Sequence, residues 1–69
     1  MKDFRIEQIN DSKITVGGIK SLTDFFSNKI VVRVVGGEIT INGENLLIER
    51  FDENEIIVLG KISGVLIND

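Results

Sequence analysis

The sequence predicts a small all-β protein: one antiparallel barrel, roll or sandwich of about seven or eight short strands, spanning residues 1–69 as a single domain. Three observations predict it. Apolar and polar residues alternate with a period of two in run after run, the signature of half-buried strands. Clusters of Gly, Asn, Asp and Ser interrupt these runs every eight to ten residues, the spacing of hairpin turns in small β domains. The apolar fraction of 42% is drawn mostly from Ile, Val and Leu, and Pro is absent, which suits strands and argues against disorder.

Residues 4–9 (FRIEQI) alternate through Phe4, Ile6 and Gln8 and read as a first strand near an edge. Lys2, Arg5 and Glu7 there discourage stray pairing. Asn10-Asp11-Ser12 is turn material. Residues 13–16 form a second strand with Ile14 and Val16 on one face, and Gly17-Gly18 frees the backbone for a turn or bulge. Residues 19–26 (IKSLTDFF) are ambiguous, since Ile19, Leu22, Phe25 and Phe26 also fit a helical spacing. Eight residues are short for a helix, and Thr and Phe suit a strand, so a strand is expected. After Ser27-Asn28, residues 29–35 (KIVVRVV) make the strongest β run, with Ile30, Val32 and Val34 on one face and Val31 and Val35 flanking Arg33 on the other. Gly36-Gly37 reads as a two-residue hairpin turn into residues 38–42.

The clearest unit is residues 39–51 (ITINGENLLIERF). Ile39 and Ile41 alternate with polar neighbours, Asn42-Gly43 is a strong short hairpin signal, and residues 46–51 follow as the returning strand. Asp52-Glu53-Asn54 is an acidic turn. Residues 56–59 (IIVL) are apolar on both faces, Gly60-Lys61 makes a bend, and residues 62–67 close the chain. An Ile-x-Val/Ile-x-Gly frame recurs at Ile14, Ile39 and Ile56, but the unequal spacings fit strand-then-glycine grammar and not a solenoid.

A chain of 69 residues buries only roughly 60% of its unfolded surface, so its core is marginal. Small domains compensate with disulfides, metals or oligomerisation. With no Cys and no His, disulfides, thiolate metal sites and the commonest metal ligand are gone, leaving oligomerisation. Two strands are apolar on both faces, and such a strand is either covered on both sides or carries an association surface. Val31, Arg33, Val35, Ile57 and Leu59 on their outer faces are therefore the candidate interaction residues, and a homo-oligomer is expected.

Net charge is −3, but residues 1–35 hold six Lys/Arg against four Asp/Glu, and residues 36–69 hold two against seven. The split reads as ordinary solvated scatter or as complementary faces. An acidic chain without a basic run is a poor nucleic-acid ligand, so no nucleic-acid partner is expected. No signal-like segment or membrane-length apolar run is visible, so direct membrane insertion is not expected and a cytoplasmic location is. Asp52, Glu53 and Glu55 fit no Ca²⁺ loop and read as a solvated turn. Four Ser residues lack a His base, and neither Gly-Gly pair belongs to a phosphate loop. No catalytic, cofactor-binding or metal residues are assigned, and no enzyme activity is expected.

Three motifs point to a family. They are Gly18-Ile19-Lys20-Ser21-Leu22-Thr23-Asp24-Phe25, then Ile41-Asn42-Gly43-Glu44-Asn45-Leu46-Leu47-Ile48-Glu49-Arg50-Phe51, then Ile56-Ile57-Val58-Leu59-Gly60-Lys61-Ile62. In order and spacing they resemble the YabP/YqfC family of sporulation proteins from endospore-forming bacteria, over residues 13–67. Gly36-Gly37-Glu38 departs from the pattern, as does the lack of a C-terminal aromatic. The resemblance implies a non-enzymatic part in assembling the spore envelope or coat, in the mother-cell cytoplasm. For the YqfC-like branch it admits a membrane-bound sporulation protein as partner. The alternative is a small Sm-like or barrel-type binding module, since residues 27–37 loosely resemble an Sm-like strand pair.

Overall fold

The computed structural model describes residues 4–68. Its strands are β1 (Arg5–Ile9), β2 (Lys13–Gly17), β3 (Ile19–Phe26), β4 (Lys29–Val34), β5 (Gly37–Phe51) and β6 (Glu55–Asn68). All pairings are antiparallel, in one six-stranded sheet of order β1-β2-β6-β5-β4-β3. The described residues contain no helix, and the ambiguous run at 19–26 is strand β3. Strand propensity and pairing to β4 outweigh its helical spacing, and bulges near Ser21 and Asp24 account for the departure from strict alternation.

The all-β class holds, but the described residues form six strands and not seven or eight. Residues 38–42 and 46–51 are one bent strand, β5, and residues 56–59 and 62–67 are one bent strand, β6. Asn42-Gly43 is therefore no hairpin turn. It is paired into the sheet, Asn42 with Gly64 and Gly43 with Ile62, leaving Ser63 as an extra residue. Further on, Glu44 pairs with Lys61 and Leu47 with Leu59, so Asn45 and Leu46 oppose Gly60. A last shift leaves Glu49 unpaired between Ile48 and Arg50. These bulges turn both strands sharply at their middles.

The glycines at the bend serve close approach. A Cβ on Gly43 would collide with the Lys61 carbonyl oxygen, and one on Gly60 would lie 2.7 Å from the Asn45 carbonyl oxygen. Gly60 (φ 138°) and Asn45 (φ 53°) take the left-handed conformations that the crossing demands. Turns from elsewhere in the chain pin both bends. The Gly43 and Leu46 amides donate to the Asn28 and Ser27 carbonyls at 3.1 and 2.7 Å. The Gly60 and Ile62 amides donate to the Ser12 and Asp11 carbonyls at 3.1 and 2.6 Å. At the opposite end, the Gly18 and Ile19 amides share the Asn54 carbonyl at 2.8 and 3.2 Å.

Bending divides the sheet into two leaves. One holds β3, β4, the first half of β5 and the end of β6; the other holds β1, β2, the start of β6 and the end of β5. Ile30, Val32, Ile39 and Ile41 from the first leaf and Ile14, Val16, Ile56 and Val58 from the second are wholly buried in one core cluster. A lone sheet can seclude these side chains only by rolling its two leaves onto each other. Each such side chain contributes about 1.5–3 kcal/mol of transfer free energy. The expected Gly36-Gly37 turn is shifted by one residue: Val34 pairs with Gly37, so Val35-Gly36 forms the turn, with Gly36 at φ 88°. Positive φ at the second turn position alone fits a type II arrangement.

Candidate association face

The register defines what each leaf turns away from the core, because side chains alternate strictly along a strand. In the β1-β2-β6-β5 leaf, one outward row runs Ile9, Lys13, Leu59, Leu47. The next runs Glu7, Thr15, Ile57, Arg50. The third begins Arg5, Gly17, Glu55. Asp52 extends that row, since its amide donates to the Glu55 carbonyl at 3.0 Å. Ile9 is 58% exposed and Leu47 51%; Ile57 and Leu59 between them are half-buried. Four apolar side chains from three strands thus share one outer face.

The five sequence-derived candidates do not form one patch. Ile57 and Leu59 lie on this face. Val31 and Arg33 point outward from β4 on the other leaf, and Val35 sits exposed in the turn after it. Val31 is only 5% exposed, between Asp24 on β3 and Thr40 on β5. It offers a partner little surface. Arg33 is exposed beside Ser21 and Glu38. Ile9 and Leu47 were missed in the sequence because they meet Leu59 only through pairing. The Leu46-Leu47 doublet was the available signal, since one of two adjacent strand residues must face out.

Charges border the apolar strip. Arg5 lies 3.7 Å from Glu7 and 3.6 Å from Glu55, and Arg50 lies 3.3 Å from Asp52. The Arg5–Glu7 pair is well exposed on both sides and adds little stability. Asp52 has a further duty. Its Oδ1 accepts the Asn54 and Glu55 amides, both at 2.9 Å, which closes the β5–β6 turn. These two bonds, helped by Arg50, hold its carboxyl below the usual carboxylate range. Among the described residues, no group of three or more His, Cys, Asp or Glu is arranged to hold a metal ion. No described helix is long and apolar enough to cross a membrane.

The structure thus defines a small rolled-sheet protein, one outer face of which carries four apolar side chains edged with charge; Phe25, Phe26, Val35, Phe51, Leu66 and Ile67 are exposed away from that face. The family model of the YabP family matches residues 2–69, nearly the whole chain, and the chain belongs to that family. Membership fits a protein associated with sporulation. A comparison with curated proteins finds no match.

Proposed function

We propose that this protein is a non-enzymatic assembly component of the spore envelope or coat, acting in the mother-cell cytoplasm through self-association or docking on a partner. A membrane-bound sporulation protein is the partner class that fits the family resemblance. The observation that carries the reading is the outward strip of Ile9, Leu47, Ile57 and Leu59 on a chain with so small a core. Apolar side chains gathered on one face favour a covering surface.

The test is genetic, in the sporulating organism that carries this chain. A deletion strain is complemented with the wild type or with Ile57→Glu, and heat-resistant spores are counted. Ile57 faces outward and is half-buried, so the substitution charges the face while the core stays intact. Wild type should restore spore yield and Ile57→Glu should not, despite equal protein levels. Equal rescue by both would count against an assembly role for this face.

A further inference from the structure

We infer that the outer face of the β1-β2-β6-β5 leaf pairs with the same face of a second copy, in a two-fold dimer whose axis runs along the strands. The inference rests on the self-association reading above and specifies its geometry.

The argument is the order of charges at the two margins of the face. Along the β1 margin, the three rows present Arg5, Glu7 and Ile9. Along the β5 margin, the same rows present Asp52, Arg50 and Leu47. A two-fold axis parallel to the strands keeps each row at its height and exchanges left with right. Arg5 then faces Asp52 of the second copy, Glu7 faces Arg50, and Ile9 faces Leu47. Symmetry makes each match twice, as an isologous interface requires. In the middle, Thr15 faces Ile57, and the aliphatic stem of Lys13 covers Leu59. An axis lying across the strands does the opposite. It sets Glu7 against Glu7 and Arg50 against Arg50, with Ile9 over Arg5. The charge pattern therefore selects one of the two face-to-face arrangements.

The dimensions are compatible with this packing. Aligned sheets pack about 10 Å apart and cross at about −30°. Over a face four strands wide, that crossing slides the two margins by about 4 Å along the strands, against a row spacing of about 7 Å, a shift that long Glu and Arg side chains span. A face four strands by three rows measures on the order of 20 by 20 Å, which places the dimer at the weak, concentration-dependent end of interfaces. The intramolecular pairs Arg5–Glu7, Arg5–Glu55 and Arg50–Asp52 join the intermolecular ones in two symmetry-related five-charge groups.

Charge reversal tests the geometry. Glu7→Arg sets the introduced guanidinium against Arg50 across the axis, and Arg50→Glu sets Glu7 against the introduced carboxylate. Each variant alone repels itself, whereas a mixture of the two is complementary at both contacts. In sedimentation equilibrium at low salt, each variant should dimerise at least about tenfold more weakly than wild type, and an equimolar mixture should recover to within about threefold. Circular dichroism reports that both remain folded, as expected for exposed positions. A wild-type dimer indifferent to either reversal, or a mixture no better than its components, would overturn this geometry and leave self-association through another surface standing. A wild type monomeric up to about 1 mM would overturn the dimer and the self-association half of the proposed function together, since even a weak interface forms at that concentration.

Discussion

Gly43 shows how one residue type can carry two opposite meanings. Next to Asn42 it reads as a hairpin turn, which would require positive φ. In the fold it lies inside β5, and its role is to let the Lys61 carbonyl oxygen pass where a Cβ would stand. Gly43→Ala should therefore destabilise the protein by about 2 kcal/mol or more, read by urea unfolding. Gly64→Ala is the control: nothing lies within 4 Å of a Cβ there, and the change should fall within about 1 kcal/mol of wild type in either direction. Asp52 ties stability to pH. Its folded carboxyl titrates below the ordinary range because it accepts the Asn54 and Glu55 amides. A depressed folded value stabilises above the unfolded value of about 3.9 and loses that contribution as pH falls through the folded value. Asp52→Ala should be less stable than wild type at neutral pH, and the gap should close on acidification below about pH 4. A gap independent of pH would mean the turn bonds do not depend on ionisation.

At the scale of elements, the two bent strands β5 and β6 dominate, and their bends are held by turns distant in sequence. The amides of Leu46 and Ile62 donate to Ser27 and Asp11, so they should exchange with solvent as slowly as amides in the middle of β6. Hydrogen exchange followed by NMR reads this directly, and loop-like rates at both would contradict the pinning. The strands themselves were legible in the sequence: β1 to β4 lie within a residue of their expected ends, whereas β5 and β6 were each expected as two shorter strands. Even β3, with its helix-like spacing, followed from its length and its Thr and Phe content. What alternation could not show was continuity. A bulge and a turn use the same residues, Asn and Gly, and only the partner strand distinguishes them. Leu46 opposite Gly60 and Ser63 as an extra residue are facts about pairing between distant segments, and pairing leaves no local signature. For the same reason the strand order, with β2 beside β6 and β3 beside β4, was not readable.

For the molecule as a whole, one sheet makes both walls of the core, with no second layer among the described residues over its outside. The inward residues Ile14, Ile30, Ile39, Ile41 and Ile56 are fully buried. Ile41→Ala should cost about 2–5 kcal/mol, which in so small a domain approaches complete unfolding; a folded, cooperative variant by thermal melt would contradict the rolled core. The outward faces carry the proposed function. Half of the candidate surface could be seen from the sequence, because Ile57 and Leu59 are the outward residues of a run apolar on both sides. Ile9 and Leu47 could not, since nothing local tells a strand-end Ile or a Leu doublet which strand it will lie beside. The charged margins, Arg5-x-Glu7 on β1 and Arg50-x-Asp52 on β5, were visible as residues, but their opposition across one face appears only in the sheet. The central claim, that this face meets its own copy with left and right exchanged, has a direct test. The chain has no native Cys, so Ile9→Cys and Leu47→Cys variants can be mixed and treated with a short bis-maleimide. The account predicts that the mixture cross-links efficiently into a covalent heterodimer while each variant alone does not; efficient cross-linking of either variant with itself, and none in the mixture, would contradict it.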